Sequence, residues 1–450
     1  MLGNLTFLSL HDNKLSGSFP IEICMLSSLS VIDVGINNLT GSIPEAIENL
    51  SSLTFLALAF NNFSCAIPST IGNLTSLKVL YLNANQLSGS IPPEVGKHKF
   101  ITDLGLVDNK LNGSLPLEMN NFTFLKEFEI PPQLGNLMKL EVLNLSHNEL
   151  FGSIPTTFDN MLSLTDVIIS YNHLKEIKTS SQPKIMAFQE EKALSTRAVS
   201  SQHSFQLIPV ILLLMLASSD SVAKAEVVGQ EAEALLKWKA SLDNNTSSLS
   251  LLSSWIGNSN CNWDGISCNS FGSITQINLT FSGLRGTLHA FNFSAFPCLM
   301  SLNLSHNAIF GTIPSEIEFL KSLQILDLSG NNINGSIPHE VGMLGNLTIL
   351  SLKDNNLSGN LPTEICMLNS LSVINVADNN LMGSIPEAIG NLISLKELYL
   401  MGNQLIGNIP PEVGKLKFLT HLGLVGNKLN GSLPSELNNF TFLNSSKSSR

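Results

Sequence analysis

Six cysteines and nine histidines are the side chains best able to carry nucleophilic, redox or metal chemistry in these 450 residues. Covalent catalysis needs a base beside its nucleophile, and metal chemistry needs His, Cys or carboxylate ligands at short spacings. Neither pattern occurs. There is no Gly-x-Ser-x-Gly elbow and no His-Glu-x-x-His pair. Phosphoryl transfer of the kinase type would require a Gly-rich phosphate loop, a strand lysine, His-Arg-Asp and Asp-Phe-Gly, and none is present. His147 and His306 each stand directly before an Asn in the same local text, so they are read as register residues of a repeat. Cys24 and Cys366 are one position seen twice, in EICML, and with Cys65 and Cys298 they are read as unpaired. Only Cys261 and Cys268 lie close together. The expectation is no catalytic, metal-binding or cofactor-binding residue, no cofactor, and no enzyme activity.

The elements that would position any functional side chain are written in a 24-residue period. Asn331, Asn355, Asn379, Asn403 and Asn427 are each 24 residues apart, as are Asn13, Asn37, Asn61, Asn85 and Asn109, and Asn148 and Asn172; Asn307 begins the later series. A representative unit is Leu347-x-x-Leu350-x-Leu352-x-x-Asn355-x-Leu357-x-Gly359-x-Leu361-Pro362. Leu350 and Leu352 alternate with Ile349, Ser351 and Lys353, which predicts a short strand with leucines inward. Asn355 follows where the chain leaves the strand, and its amide can bond backbone groups that the turn strands. Gly359 permits a tight bend and Pro362 ends the segment. One unit cannot bury its apolar side alone, so units stack. The asparagines then form a polar ladder inside an apolar stack.

This text, with its Gly-x-Ile-Pro ending, resembles the plant subtype of leucine-rich repeat found in receptor-like kinases, receptor-like proteins and polygalacturonase inhibitors. The resemblance covers most of the chain. It implies an α/β-type leucine-rich-repeat solenoid, here as two right-handed superhelical arcs of 24-residue repeats.

Two arrays are legible because the chain contains itself. Residues 3–52 align with 345–394 at an offset of 342, and 81–97 align with 399–415 at an offset of 318. The second array therefore lacks one coil, about residues 53–76. The first, residues 1–175, starts inside a coil and is damaged near 125–140, where Pro131-Pro132 interrupts a coil and a pinched turn is expected. Residues 176–204 read as an irregular linker. The apolar run Leu207–Ala217 lies within a segment, 205–225, that ends in Ala223-Lys224-Ala225. It is too short to span a membrane and reads as a signal peptide cleaved before Glu226, with a buried core helix as the alternative.

Residues 226–273 hold all three tryptophans, in EAEALLKWKASL, LLSSW and CNWDGISC. They resemble the N-terminal cap of plant leucine-rich-repeat ectodomains. That resemblance, with the short loop between Cys261 and Cys268, implies a disulfide there and a helical cap. The cap would cover the first coil of the second array, residues 274–443, and keep the two arcs apart; 444–450 is a tail. The text GLRGTLHAFNFSAFPCLMSLNLSHN resembles the male-discoverer-interacting subgroup of receptor-like kinases. The whole looks like two tandem paralogues read as one.

Only 13% of residues are charged and the net charge is −11, with no Lys/Arg cluster, which argues against nucleic acid. Ligand recognition is expected on outward strand residues: Asn303, Ser305, Asp327, Ser351, Lys353, Asp354, Asn375, Asp378, Glu397, Tyr399 and His421. The implied partner is a secreted peptide or protein, with a co-receptor ectodomain as a second. The implied setting is the secretory pathway, then the extracellular space or the outer side of the plasma membrane. Membrane association would come only from a C-terminal part absent from this chain or from 205–217. Sequons at Asn4, Asn73, Asn278, Asn346 and Asn439 fit that route. The expected function is a fragment of a receptor ectodomain in signalling or defence. The alternatives are a secreted polygalacturonase-inhibitor-like protein and a truncated receptor serine/threonine kinase.

Overall fold

Each coil is built as its leucines dictate. In the computed structural model, which describes residues 3–118, 142–153, 166–175, 221–243 and 251–437, strand Ile349–Ser351 turns Leu350 fully inward. Leu352 and Leu357 follow it into the core. A second short strand, Asn356–Gly359, lies on the next side of the coil, with Gly359 at φ 74°. Pro362, extended at φ −63°, opens a 3-10 turn over Thr363–Met367 that buries Ile365. Proline suits that position because the first N–H groups of a helical turn have no partner within it. Cys65 takes the left-handed slot that Gly41 and Gly89 fill in neighbouring coils, at φ 67°.

The coils stack through one 15-stranded sheet, and its order is not the order of the chain. From the cap outward the strands are Ile266–Cys268, Ile274–Asn278, Ser301–Asn303, Ile325–Asp327, Ile349–Ser351, Val373–Asn375, Glu397–Tyr399 and His421–Gly423. The next strand is Phe7–Ser9, followed by the rest of the first array out to Asp166–Ile168. Apart from the antiparallel pair at the cap, every pairing in this sheet is parallel. The expected separation of the two arrays therefore does not hold. Both arrays are present, but they join edge to edge, with Phe7, Leu8 and Ser9 in register with His421, Leu422 and Gly423. The cap stays on the first coil of the second array, and no strand passes directly from the Asn172 coil to Ile277. The joining edges are the other two.

The ladder crosses that join without interruption. Within the first array the Asn37 Nδ2 donates to Leu10, Val34 and Gly35 carbonyls, while its Oδ1 accepts from the Leu15 N–H. Asn13 does the same with the Leu424, Leu10 and His11 carbonyls and the Leu429 N–H, so it is the rung after Asn427.

Other expectations fall wholly or partly outside the described residues. The pinched segment 125–140 lies outside the described residues, yet strand Asp103–Gly105 pairs directly with Val142–Asn144. Asn148 serves as the rung after Asn109, bonding the Leu106 carbonyl and the Leu111 N–H. Sheet and ladder thus run in register from the Asn109 coil to the Asn148 coil, on either side of that segment. Residues 178–204 and 205–217 also lie outside the described residues. The cap helix runs over Ser221–Ser241, through the expected cleavage site between 225 and 226, and is longer than the segment beginning at Glu231.

Candidate recognition surface

The outward positions of the long sheet are set by strand alternation, two per strand, followed by the bend before each ladder Asn. That bend has a fixed conformation. Its residue is left-handed in coil after coil: Asp12, Ile36, Phe60, Asp108, His147, His306, Asp354 and Asp378 all have φ between 49° and 57°, and Gly330, Gly402 and Gly426 share the region. The repeated position of His147 and His306 thus has a backbone reason as well as a register. Each stacks on an aromatic ring of the adjacent coil, His306 on Phe281 at 4.3 Å and His147 on Tyr171 at 4.1 Å between centroids.

Several of the expected ligand-facing residues are occupied by their own coil. The Asn303 Oδ1 accepts from the Ser305 N–H at 3.0 Å and its hydroxyl at 2.8 Å. Asp327 holds Ser329 in the same way, and Asn375 accepts from the Ala377 N–H. These are turn-building side chains of the Asx kind. Ser305 is itself buried, paired with the Thr280 hydroxyl at 2.9 Å.

The others present chemistry outward. Lys353 and Asp378 form an exposed ion pair at 3.6 Å, with Asp354 exposed beside them and Ser351 half-buried. Glu397, Tyr399 and His421 are half-buried on successive strands. Burial, with the neighbouring Glu397 carboxylate adding to it, pushes the Tyr399 phenol well above its usual range. The His421 ring sits between two others, 6.3 Å from Tyr399 and 5.8 Å from Phe7. Its Nδ1 lies 2.9 Å from the Thr420 hydroxyl. Phe7 belongs to the other array, so the join brings together a cluster that neither array has alone.

The columns continue beyond the outward residues expected in the second array, into the first. Phe7, Phe55 and Tyr81 stand in the first array at strand positions equivalent to those of Glu397 and Tyr399. Phe55 meets Tyr81 edge to face at 6.0 Å. His11 lies 3.2 Å from the Asp33 carboxylate, whose hydrogen bond raises the imidazole pKa above its ordinary value despite partial burial. The repeat register itself marks all of these positions, since they fall at fixed distances before Asn13, Asn37, Asn61 and Asn85.

The cap closes the far end. The buried Trp238 indole donates to the Thr287 carbonyl at 3.0 Å, and Trp255 stacks on Trp263 at 5.4 Å. Cys261 and Cys268 are bonded, with 5.5 Å between their Cα atoms, and Cys24, Cys65, Cys298 and Cys366 are free.

Comparison with known proteins places these parts in a family. The chain matches the Leucine rich repeat N-terminal domain over residues 228–269 and Leucine rich repeat over 272–333. Single Leucine Rich Repeat matches fall at 4–26, 76–98, 139–161, 346–368, 370–392 and 394–416. MDIS1-interacting receptor like kinase 2 of Arabidopsis thaliana is 40% identical over 142 residues, 30% of this chain and 13% of that protein. Receptor-like protein 19 of the same plant is 41% identical over 75 residues, 15% of this chain and 8% of that protein. Among solved structures, the BIR2 ectodomain from Arabidopsis thaliana is 32% identical, covering 38% of this chain and 92% of that one with a TM-score of 0.35. The matched stretches thus span a small fraction of the curated relatives' length. The chain thus carries the leucine-rich-repeat N-terminal domain and leucine-rich repeats, and its matched stretches are similar to plant leucine-rich-repeat receptor-like kinases.

Proposed function

We propose that the chain is an extracellular recognition module, part of a receptor-like kinase or receptor-like protein ectodomain in signalling or defence, which binds a secreted peptide or protein. A co-receptor ectodomain is the second partner, and the chain contributes binding rather than catalysis. The observation that carries this reading is the run of in-register parallel strands through both arrays, which lines outward side chains into columns spaced ~4.8 Å apart. Such columns suit an extended segment laid across the strands. The turn-building residues Asn303, Asp327 and Asn375 shape the surface. Lys353, Asp354, Asp378, Glu397, Tyr399 and His421 supply contacts, joined by Phe7, Phe55 and Tyr81.

Passage through the secretory route is supported by the Cys261–Cys268 bond, which persists in oxidising compartments. It is supported too by the exposure of the sequons Asn4, Asn73, Asn278 and Asn346, where glycans would meet no core; Asn439 lies outside the described residues. Panning a random linear peptide library on the full glycosylated chain tests the reading. Enriched peptides should bind Tyr399→Ala and Lys353→Ala variants at least ~10-fold more weakly, since a central aromatic contact carries about 2 kcal/mol or more. Peptides that bind both variants as well as the parent would place the site elsewhere and overturn the reading.

A further inference from the structure

The described residues that flank the connection between the arrays lie away from the place where the arrays meet. The first array ends at the Asn172 coil and the cap helix begins at Ser221, and these occupy opposite ends of the stack. With strands ~4.8 Å apart, the sheet separates them by roughly 60 Å. Residues 176–220 are long enough to cross this, at ~3.3–3.6 Å per extended residue, but closing so wide a loop within one chain carries an entropic cost. The contact itself is two complementary edges. Thr6 and Phe7 N–H groups donate to the Thr420 carbonyl at 2.9 and 3.1 Å. The Leu424 and Gly426 N–H groups donate to the Ser9 and His11 carbonyls. On the next side of the coil, Lys14 and Ser16 N–H groups donate to the Leu429 and Gly431 carbonyls at 2.8 Å each. The same scheme operates between the Asn13 and Asn37 coils, where Ser30 and Val31 N–H groups donate to the Thr6 carbonyl and the Asn38 N–H to that of Leu15. Nothing in these bonds requires both edges to belong to one polypeptide.

We propose that this junction is an exchangeable interaction surface whose partner is a second copy of the chain: the Asn13 edge of one copy docks on the Asn427 edge of another, and reciprocally. Each stack in the resulting dimer has the same contacts as the stack described above. When two stacks lie side by side in opposite directions, the far end of one approaches the cap of the other. The linker then bridges a short gap rather than the length of a sheet. Swapping identical elements between protomers adds no new interface and satisfies both edges.

Phe7 and His421 are in register across the join, so cysteines at these positions report on it. In a full-length Cys65→Ser background, which removes the exposed thiol, chains carrying Phe7→Cys and chains carrying His421→Cys are co-expressed and oxidised. The expected result is a disulfide-linked band of twice the chain mass in the mixture, absent from either variant alone. The double variant Phe7→Cys/His421→Cys should also cross-link. A double variant that cross-links only within single chains, with no mixed band at any concentration, would overturn the proposal. A double variant with no cross-link at all would overturn the junction too. As a second measurement, sedimentation of the unmodified chain should show dimer growing with concentration. A single species of one chain mass at every concentration would count against exchange.

Discussion

At the scale of single residues, the ladder asparagines hold neighbouring coils together rather than closing their own turns alone. Asn331 reaches Leu304 in the preceding coil as well as Leu328 and Ser329 in its own, and accepts from the Ile309 N–H. Asn331→Ala or Asn379→Ala should therefore cost ~1–3 kcal/mol, because buried backbone groups lose their partner. The exposed Asn332→Ala should cost little, and equal shifts in thermal melts would remove the ladder's role. His98 is the opposite case, a polar side chain where the second array has the buried Leu416. Its Nδ1 lies 3.1 Å from the Leu74 carbonyl, its Nε2 has no partner, and burial lowers its pKa to about 4. The unfolded chain, with this group near 6.5, binds more protons between those values, so stability falls as pH drops through that window. The loss should reach ~3 kcal/mol at its acid end. His98→Leu should abolish this component and raise stability by ~1–2 kcal/mol at neutral pH, read from urea midpoints at pH 7 and pH 4.

At the scale of elements, the cap is fixed by one carboxylate that no motif flagged. Glu231 is fully buried on the cap helix, and its two oxygens accept from the Ile274 N–H at 3.1 and 3.0 Å. Asn260 donates to it at 3.4 Å. Burial raises its pKa in spite of these bonds. Glu231→Ala should leave the Ile274 amide without a partner and loosen the helix from the first strand, at ~1–3 kcal/mol. Hydrogen exchange at Ile274 should speed up while that at Leu350 does not; unchanged exchange would show that the tryptophans alone seat the cap. A second element-scale strain sits at the bend before Asn37, where the β-branched Ile36 is left-handed at φ 49° and exposed. Left-handed backbone costs L-residues roughly 1–2 kcal/mol, so Ile36→Gly should be neutral or stabilising in a melt although a side chain is deleted.

At the scale of the whole molecule, processing is the open consequence. Expressed from Met186 in a secretory host, the chain should be exported with Glu226 as its first residue, which N-terminal sequencing checks. Trimming there removes the first turn of the cap helix and spares Glu231, Trp238 and their contacts. Retention of residues 205–217 in secreted material would rule out the signal-peptide reading. Export of this shortened chain would also leave the Asn427 edge without the Asn13 coil. Leu422, Leu424 and Leu429, buried when the arrays join, would then gain exposure. Each fully buried leucine side chain is worth ~1.5–3 kcal/mol, so the shortened protein should melt below the joined one.

The amino-acid sequence alone determines much of this. The 24-residue spacing specifies which leucines are core, which asparagines are rungs, and where each strand lies, because every coil obeys the same local rules of alternation, turn and stacking. The cap was legible in its tryptophans and two close cysteines for the same reason. What periodicity cannot express is which coil follows which when the chain is interrupted, since identical registers offer the same hydrogen bonds to any neighbour. The order in space came from the edges left uncovered. The cap closes one end of the second array, so the Asn427 and Asn13 coils shield each other, and the ladder continues between residues far apart in the sequence. The same rule passed over the interruption between Asn109 and Asn148, joining them as consecutive rungs, because a buried rung needs a partner at one strand spacing whatever length of chain intervenes.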